Sequence, residues 1–193
     1  MKYSHCFRVE APVAVVAAFH NRSAAMAIIT PPPLVTQVHR APDFLATGES
    51  MEFTLWLGPL PMRWVAGFED VGPAGFVDRM QRGPVRRWQH RHTFVAVDGN
   101  TTDVVDEVEI TLRLHPIWGP IGLGMALNLP ILFTYRGWQT RRLLNGLRSP
   151  DELDFGRWQA GARRFSILAT AAAVAALSIG ALAGLRRLRR GFG

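Results

Sequence analysis

The chain has 193 residues, 48% apolar and 19% charged, which allows one ordinary domain with an appendage and excludes a disordered, collagen-like or low-complexity polymer. A single cysteine, Cys6, excludes a disulfide framework and a multi-thiolate metal site. The net charge of +7 is uneven: residues 1–140 balance twelve Lys/Arg against twelve Asp/Glu, and the excess lies in residues 141–193. The high pI therefore describes a C-terminal tail, and no nucleic-acid partner is expected.

Lys2–Glu10 alternates and is expected as a first strand. Pro12 suits a helix start, so Val13–Asn21 reads as a packed helix and Ala24–Ile29 as a second short one, closed by Pro31-Pro32-Pro33. Six short runs rich in Val, Thr, Phe and Trp follow at hairpin spacing: Val35–Arg40, Glu49–Leu57, Met62–Asp70, Gly75–Gln81, Arg87–Val97 and Thr101–Leu114. Asp98-Gly99-Asn100 is the clearest turn among them. Pro116–Gly124 reads as a Gly/Pro loop, since its GPIGLG lacks both the order and the context of a nucleotide-binding glycine motif. Asn128 is expected to cap a long helix with Pro130 in its first turn, running to about Leu147. Ile131, Tyr135, Trp138 and Arg142 fall on one face of that helix, and Trp138, Leu143, Leu144 and Leu147 are expected to line the inside or the mouth of a cavity.

Residues 149–164 read as a polar connector. Phe165 to Leu185 is an uncharged run of 21 residues, flanked by Arg163 and Arg164 before it and by Arg186, Arg187, Arg189 and Arg190 after it. A helix of that length spans roughly 30 Å, which matches a bilayer core, so 165–185 is expected as one transmembrane helix and 186–193 as an Arg-rich tail. Ala173, Ala176, Gly180 and Gly184 form a small-residue face through which such a helix could pair in a homodimer. Met1–Glu10 has no signal-peptide pattern, so the N-terminal domain is expected to face the cytoplasm.

The order is strand, two helices, six strands, long helix. That is an α+β arrangement in which a curved seven-stranded antiparallel sheet wraps a long helix and leaves a concave, apolar space suited to a ligand. Within it, Trp88, His90, His92 and Phe94 share a face by period two. Phe76, Asp78 and Met80 share a face on the preceding strand, and Asp106 and Val108 do so on the following one. Two histidines and two aspartates thus fall among apolar side chains.

Three readings stay open. The polar groups orient an apolar ligand; or His90 and His92 merely satisfy Asp78 and Asp106 inside the core; or a His–Asp pair is a general base, with His90, His92, Asp78 and Asp106 as the catalytic candidates. A metal on His90, His92 and a carboxylate belongs to the third reading, but H-x-H alone is a weak signal, and neither metal nor cofactor is assigned. Arg82, Arg86, Arg87 and Arg91 form a basic cluster that reads as a solvated or membrane-facing patch. A protein-interaction scaffold using that patch is a further alternative.

The run Phe76-x-Asp78-x-Met80-x-x-Gly83-Pro84-x-x-x-Trp88-x-His90-x-His92-x-Phe94 resembles a signature of one branch of the START-like, helix-grip (SRPBCC) superfamily. That branch is labelled polyketide cyclase/dehydrase-like or lipid-transport-like and also occurs fused to sugar-epimerase-type domains. Arg63, Asp106-x-Val108, Gly119-Pro120-x-Gly122 and Phe133-x-Tyr135-Arg136 also match, and the resemblance covers about residues 1–148. Ile110, where an aromatic is common, and Gly137, where the helix often continues with His, depart from it. The resemblance implies a cavity that binds lipids, quinones or polyketides. Its expected ligand-binding residues are Phe76, Asp78, Met80, Trp88, His90, His92, Phe94, Asp106, Val108, Tyr135 and Trp138. The function expected is membrane-anchored binding of a small hydrophobic ligand, with a cyclase or dehydratase as the alternative.

Overall fold

The computed structural model describes residues 1–161. Its elements are β1 (Lys2–Val9), α1 (Val13–His20), α2 (Ala24–Ile28), β2 (Leu34–Arg40), β3 (Ser50–Leu57), β4 (Leu60–Gly72), β5 (Gly75–Arg82), β6 (Arg87–Asp98), β7 (Thr101–Thr111), α3 (Trp118–Leu127) and α4 (Leu129–Leu144). The strands form one seven-stranded sheet in the order β1-β7-β6-β5-β4-β3-β2. All its neighbouring strands are antiparallel: each strand from β3 to β7 returns beside the one before it, and β1 adds to the free edge of β7.

Period-two burial sets the inner face. Thr102, Val104, Asp106, Val108 and Ile110 are buried along β7, and Trp88, His90, His92 and Phe94 along β6. Register shifts at Val65/Ala66, Glu69/Gly72 and Ala96/Asp98 mark bulges, which bend a sheet and raise its twist. At Gly75 φ is +136°, and a Cβ there would lie 2.0 Å from the His92 carbonyl oxygen, so only glycine brings β5 this close to β6.

Helix α4 lays Leu129, Phe133, Gly137, Thr140 and Leu144 on the sheet side, against β1. A Cβ on Gly137 would meet the Phe7 ring at 3.0 Å. The missing side chain lets helix and strand approach, which offsets the cost of about 1 kcal/mol that glycine carries inside a helix. Helix α1 buries Val15, Val16 and Phe19 and packs on β6 and β7.

Several expectations change. The stretch 116–124, read as a loop, supplies most of α3: Pro120 sits in its first turn, where no intrahelical N–H is needed, and burial of Gly122 and Ala126 overrides weak helix propensity. Asn128 gives α4 no side-chain cap; its Nδ2 donates back to the Gly124 carbonyl at 2.8 Å. Strand β7 ends at Thr111, and Leu114 is fully exposed. The inward face of α4 is not the Ile131/Tyr135/Trp138 stripe, since Ile131 and Trp138 are 67% and 48% exposed. In the stretch after α4, Phe155 stacks on Phe19 at 5.6 Å and Trp158 meets the same ring edge-on at 5.8 Å.

The fold class is also corrected at its C-terminal end. The transmembrane helix expected over 165–185, its small-residue pairing face and the Arg-rich tail lie outside the described residues. Among the described residues no helix is long and apolar enough to cross a membrane. Residues 1–161 thus form an α+β helix-grip domain, and no transmembrane helix is part of it.

Candidate functional site

A cavity of about 470 Å³ lies between the inner face of the sheet and the helices. Strands β3 and β4 supply Met51, Phe53, Met62, Trp64 and Phe68, and β5 and β6 supply Phe76 and Trp88. Met26 and Ile29 come from α2 and the residue after it, Ile121 and Met125 from α3, and Leu129 and Leu132 from α4. Leu57 and Ile131 are both lining and exposed, which places them at the opening. The wall is mostly apolar; its polar groups come chiefly from His20, Asp78, His90, His92 and Arg136.

Register brings the polar cluster together. Asp78 lies opposite His90 across β5 and β6, and His92 lies opposite Asp106 across β6 and β7. His90 Nε2 is 3.0 Å from Asp106 Oδ1, and its Nδ1 is 3.4 Å from Asp78 Oδ2. His92 Nδ1 is 2.7 Å from the same Asp106 oxygen but out of line for a hydrogen bond, so the contact is electrostatic. The two imidazoles lie 4.0 Å apart by centroid. Phe133 of α4 meets His90 edge-on at 5.0 Å, and His20, the last residue of α1, lies 5.4 Å from His92 and 5.3 Å from Phe94.

These contacts set the charges. Burial opposes ionisation of Asp106, but His92 and His90 outweigh it and hold the carboxyl well below the usual range. Burial pushes His90 down, yet hydrogen bonding to Asp106 and Asp78 wins and leaves it raised. Burial and the neighbouring His90 lower His92. Burial, reinforced by His92, lowers His20 to about 3. His90 is thus the histidine that favours a proton, between two aspartates, while burial disfavours one on His92 and His20. Such a set can donate to and accept from a bound oxygen, or remove a proton from an acidic carbon. The ligand atoms of His90, His92 and Asp106 lie within 4.8 Å of one another, close enough to hold an ion, although the hydrogen bond between His90 and Asp106 already engages two of the three.

Of the residues expected to contact a ligand, Phe76, Asp78, Trp88, His90 and His92 line the cavity. Asp106 stands behind the histidines, and Phe94 and Val108 are buried beside the cluster, off the wall. Met80 packs on the core, its Sδ over Gly83. Tyr135 and Trp138 line a separate outer groove together with Phe155 and Trp158. The sequence reading did not assign His20, Arg136 or the β3–β4 wall to the site. The alternation Met62, Trp64, Ala66, Phe68 was a usable signal for that wall; His20, at the end of an apolar helix, carried none.

No protein-family model matches the chain, nor does any curated protein. Solved structures do. A nucleoside-diphosphate sugar epimerase from Corynebacterium glutamicum is 26% identical over 72% of this chain, with a TM-score of 0.55; the chain spans 28% of that protein. The Zhui aromatase/cyclase from Streptomyces is 16% identical, with 74% of this chain and 94% of that one covered and a TM-score of 0.55. A START superfamily protein from Mycobacterium smegmatis is 12% identical, with 74% and 98% covered and a TM-score of 0.54. Together with the strand order and the gripped helix, these likenesses give the chain the START-like helix-grip fold.

Proposed function

We propose that the protein binds one small hydrophobic molecule, of lipid, quinone or polyketide type, in the space between sheet and helices. The observation that carries this is the apolar cavity of about 470 Å³, which falls within the range of about 300–1,000 Å³ usual for small-molecule sites. Its apolar wall supplies affinity through burial, and the His/Asp cluster fixes orientation. The test is solvent extraction of the protein after mild purification, with mass spectrometry of the extract and displacement of an apolar fluorophore. One apolar molecule per chain, or saturable 1:1 displacement, is expected. A cavity that neither retains nor takes up such molecules overturns the reading.

A cyclase or dehydratase is the second reading. It is favoured by the buried Asp78–His90–Asp106–His92 chain, whose neutral His92 faces the cavity in the manner of a general base. The likeness to an aromatase/cyclase agrees with it at the level of fold. Under this reading His90→Gln abolishes turnover of a polyketide-type substrate while affinity changes only a few fold; under the first there is no turnover to lose.

A further inference from the structure

Among the described residues no carboxylate makes a salt bridge or hydrogen bond to Arg136; Asp106 and Asp78 act on it only through space. Arg136 lines the cavity from α4, one turn after Phe133. Its Nε is buried without a hydrogen-bond partner. Of the nearby carboxylates, Asp106 is engaged by His90 and His92, and Asp78 turns its Oδ2 toward His90 at 3.4 Å. The guanidinium carbon lies 5.4 Å from the Phe133 ring centroid, a contact that favours a cation but fills none of its N–H donors. Residues 162–193 contain no Asp or Glu, so that stretch holds no carboxylate side chain to pair with it.

A guanidinium stays charged at any ordinary pH and presents five donors in a planar fork suited to a carboxylate. Buried charges are paired in stable proteins, so an unpaired one on a ligand wall marks where a counter-charge docks. The surroundings suit a head group further. His20 Nε2 and Asp78 Oδ1 are also buried and unfilled, and both residues line the cavity. Asp78 Oδ1 is an acceptor for a hydroxyl on the same molecule.

We propose that the ligand is an amphipathic organic acid, its apolar body in the cavity and its anionic oxygens on Arg136. This rests on the cavity being a hydrophobic-ligand site, and the experiment separates the two ideas. The full-chain protein, stripped of bound lipid, is titrated with dodecanoate and with dodecanol against an apolar fluorophore. Dodecanoate is expected to bind at least tenfold tighter than dodecanol. In Arg136→Gln that preference falls at least tenfold while dodecanol stays within twofold, and Arg136→Lys retains part of the preference. Equal affinity for acid and alcohol in the wild-type protein overturns the proposal and leaves the hydrophobic site standing. Failure of both molecules to displace the fluorophore overturns both. The comparison of acid with alcohol in the wild-type protein decides the matter even if neither variant folds.

Discussion

Replacing Asp106 by Asn asks whether charge, rather than shape, holds the inner cluster together. The carboxylate side chain is 2% exposed, with His90 Nε2 at 3.0 Å and His92 Nδ1 at 2.7 Å. Asn fills the same volume and still accepts one hydrogen bond, but it removes the charge. A hydrogen bond to a charged group contributes about 1.5–3 kcal/mol, and stripping one partner from a buried pair costs about 3–5 kcal/mol. We expect a loss of about 3 kcal/mol at pH 6, which at a urea slope of about 2 kcal/mol/M moves the midpoint down by about 1.5 M. The pH dependence has a definite sign. Asp106 is held below its unfolded value of about 3.9, so its contribution is complete above that pH and is lost as pH falls through the folded pKa. His90 is raised above about 6.5, so its contribution is complete below that pH and is lost as pH rises through the folded pKa. The gap between wild type and variant is therefore full from about pH 4 to 6 and narrows as pH rises above about 6.5. Urea titrations from pH 4 to 9 measure it. A midpoint shift under about 0.3 M at pH 6, on the linear-extrapolation scale, or a gap that does not change with pH, refutes the reasoning.

Three further outcomes are expected. His20 stays neutral in the folded protein down to about pH 3, whereas the unfolded chain protonates near 6.5. Between those values its contribution falls with pH by up to about 1.4 kcal/mol per unit; His20→Phe removes that slope, and parallel urea titrations at pH 7.5 and 4.5 check it. Gly137→Ala gains about 1 kcal/mol of helix propensity but presses a methyl onto the Phe7 ring, an overpacking cost of about 1–3 kcal/mol. Thermal melts should show a net loss that Phe7→Leu relieves in the double variant; a simply additive double variant counts against the contact. Ala66→Leu pushes a larger side chain from β4 into the cavity, so it should lower apolar-probe affinity at least tenfold without lowering the melting temperature. Unchanged probe affinity would place the ligand elsewhere.

The sheet was legible because its rule is local. Alternation along Trp88–Phe94 and Asp106–Ile110 states which side chains turn inward, and each of the six expected hairpin strands forms with its ends moved by a few residues. Register follows from the same rule, which is why Asp78 and Asp106 meet the two histidines. The helices were harder. Two stripes of α4 are plausible by spacing, and the richer one, Ile131–Tyr135–Trp138, turns away from the sheet, Ile131 to the cavity opening and Tyr135 and Trp138 to the outer groove. Phe133, Gly137 and Thr140 take the inner side because a close approach to β1 needs a small residue, a steric demand that periodicity does not express. Helix α3 hid behind glycines and a proline whose poor propensity is outweighed by packing. His20 and Arg136 reach the cavity through tertiary docking of α1 and α4; no neighbour in sequence announces His20, and the Phe133-x-Tyr135-Arg136 match marked Arg136 without placing it on the wall.

Energetics explain why a wall of this kind is kept open. Engineered internal voids destabilise by about 24 cal/mol per Å³, so about 470 Å³ left unfilled corresponds to an upper bound of about 11 kcal/mol. That is comparable to the whole stability of a typical domain, about 5–15 kcal/mol. The opening at Leu57 and Ile131 relieves part of the cost by admitting solvent, yet a chain selected only for folding would close the space with larger side chains at Ser23, Ala25 and Ala66, which line it. The same holds for the polar end: an unanswered guanidinium costs more than a leucine would at position 136. Both departures from a filled core fall on one surface, and a bound amphipathic molecule relieves both at once by filling the void and answering the charge. Stability given up at a functional surface is the pattern expected where binding supplies the missing contacts.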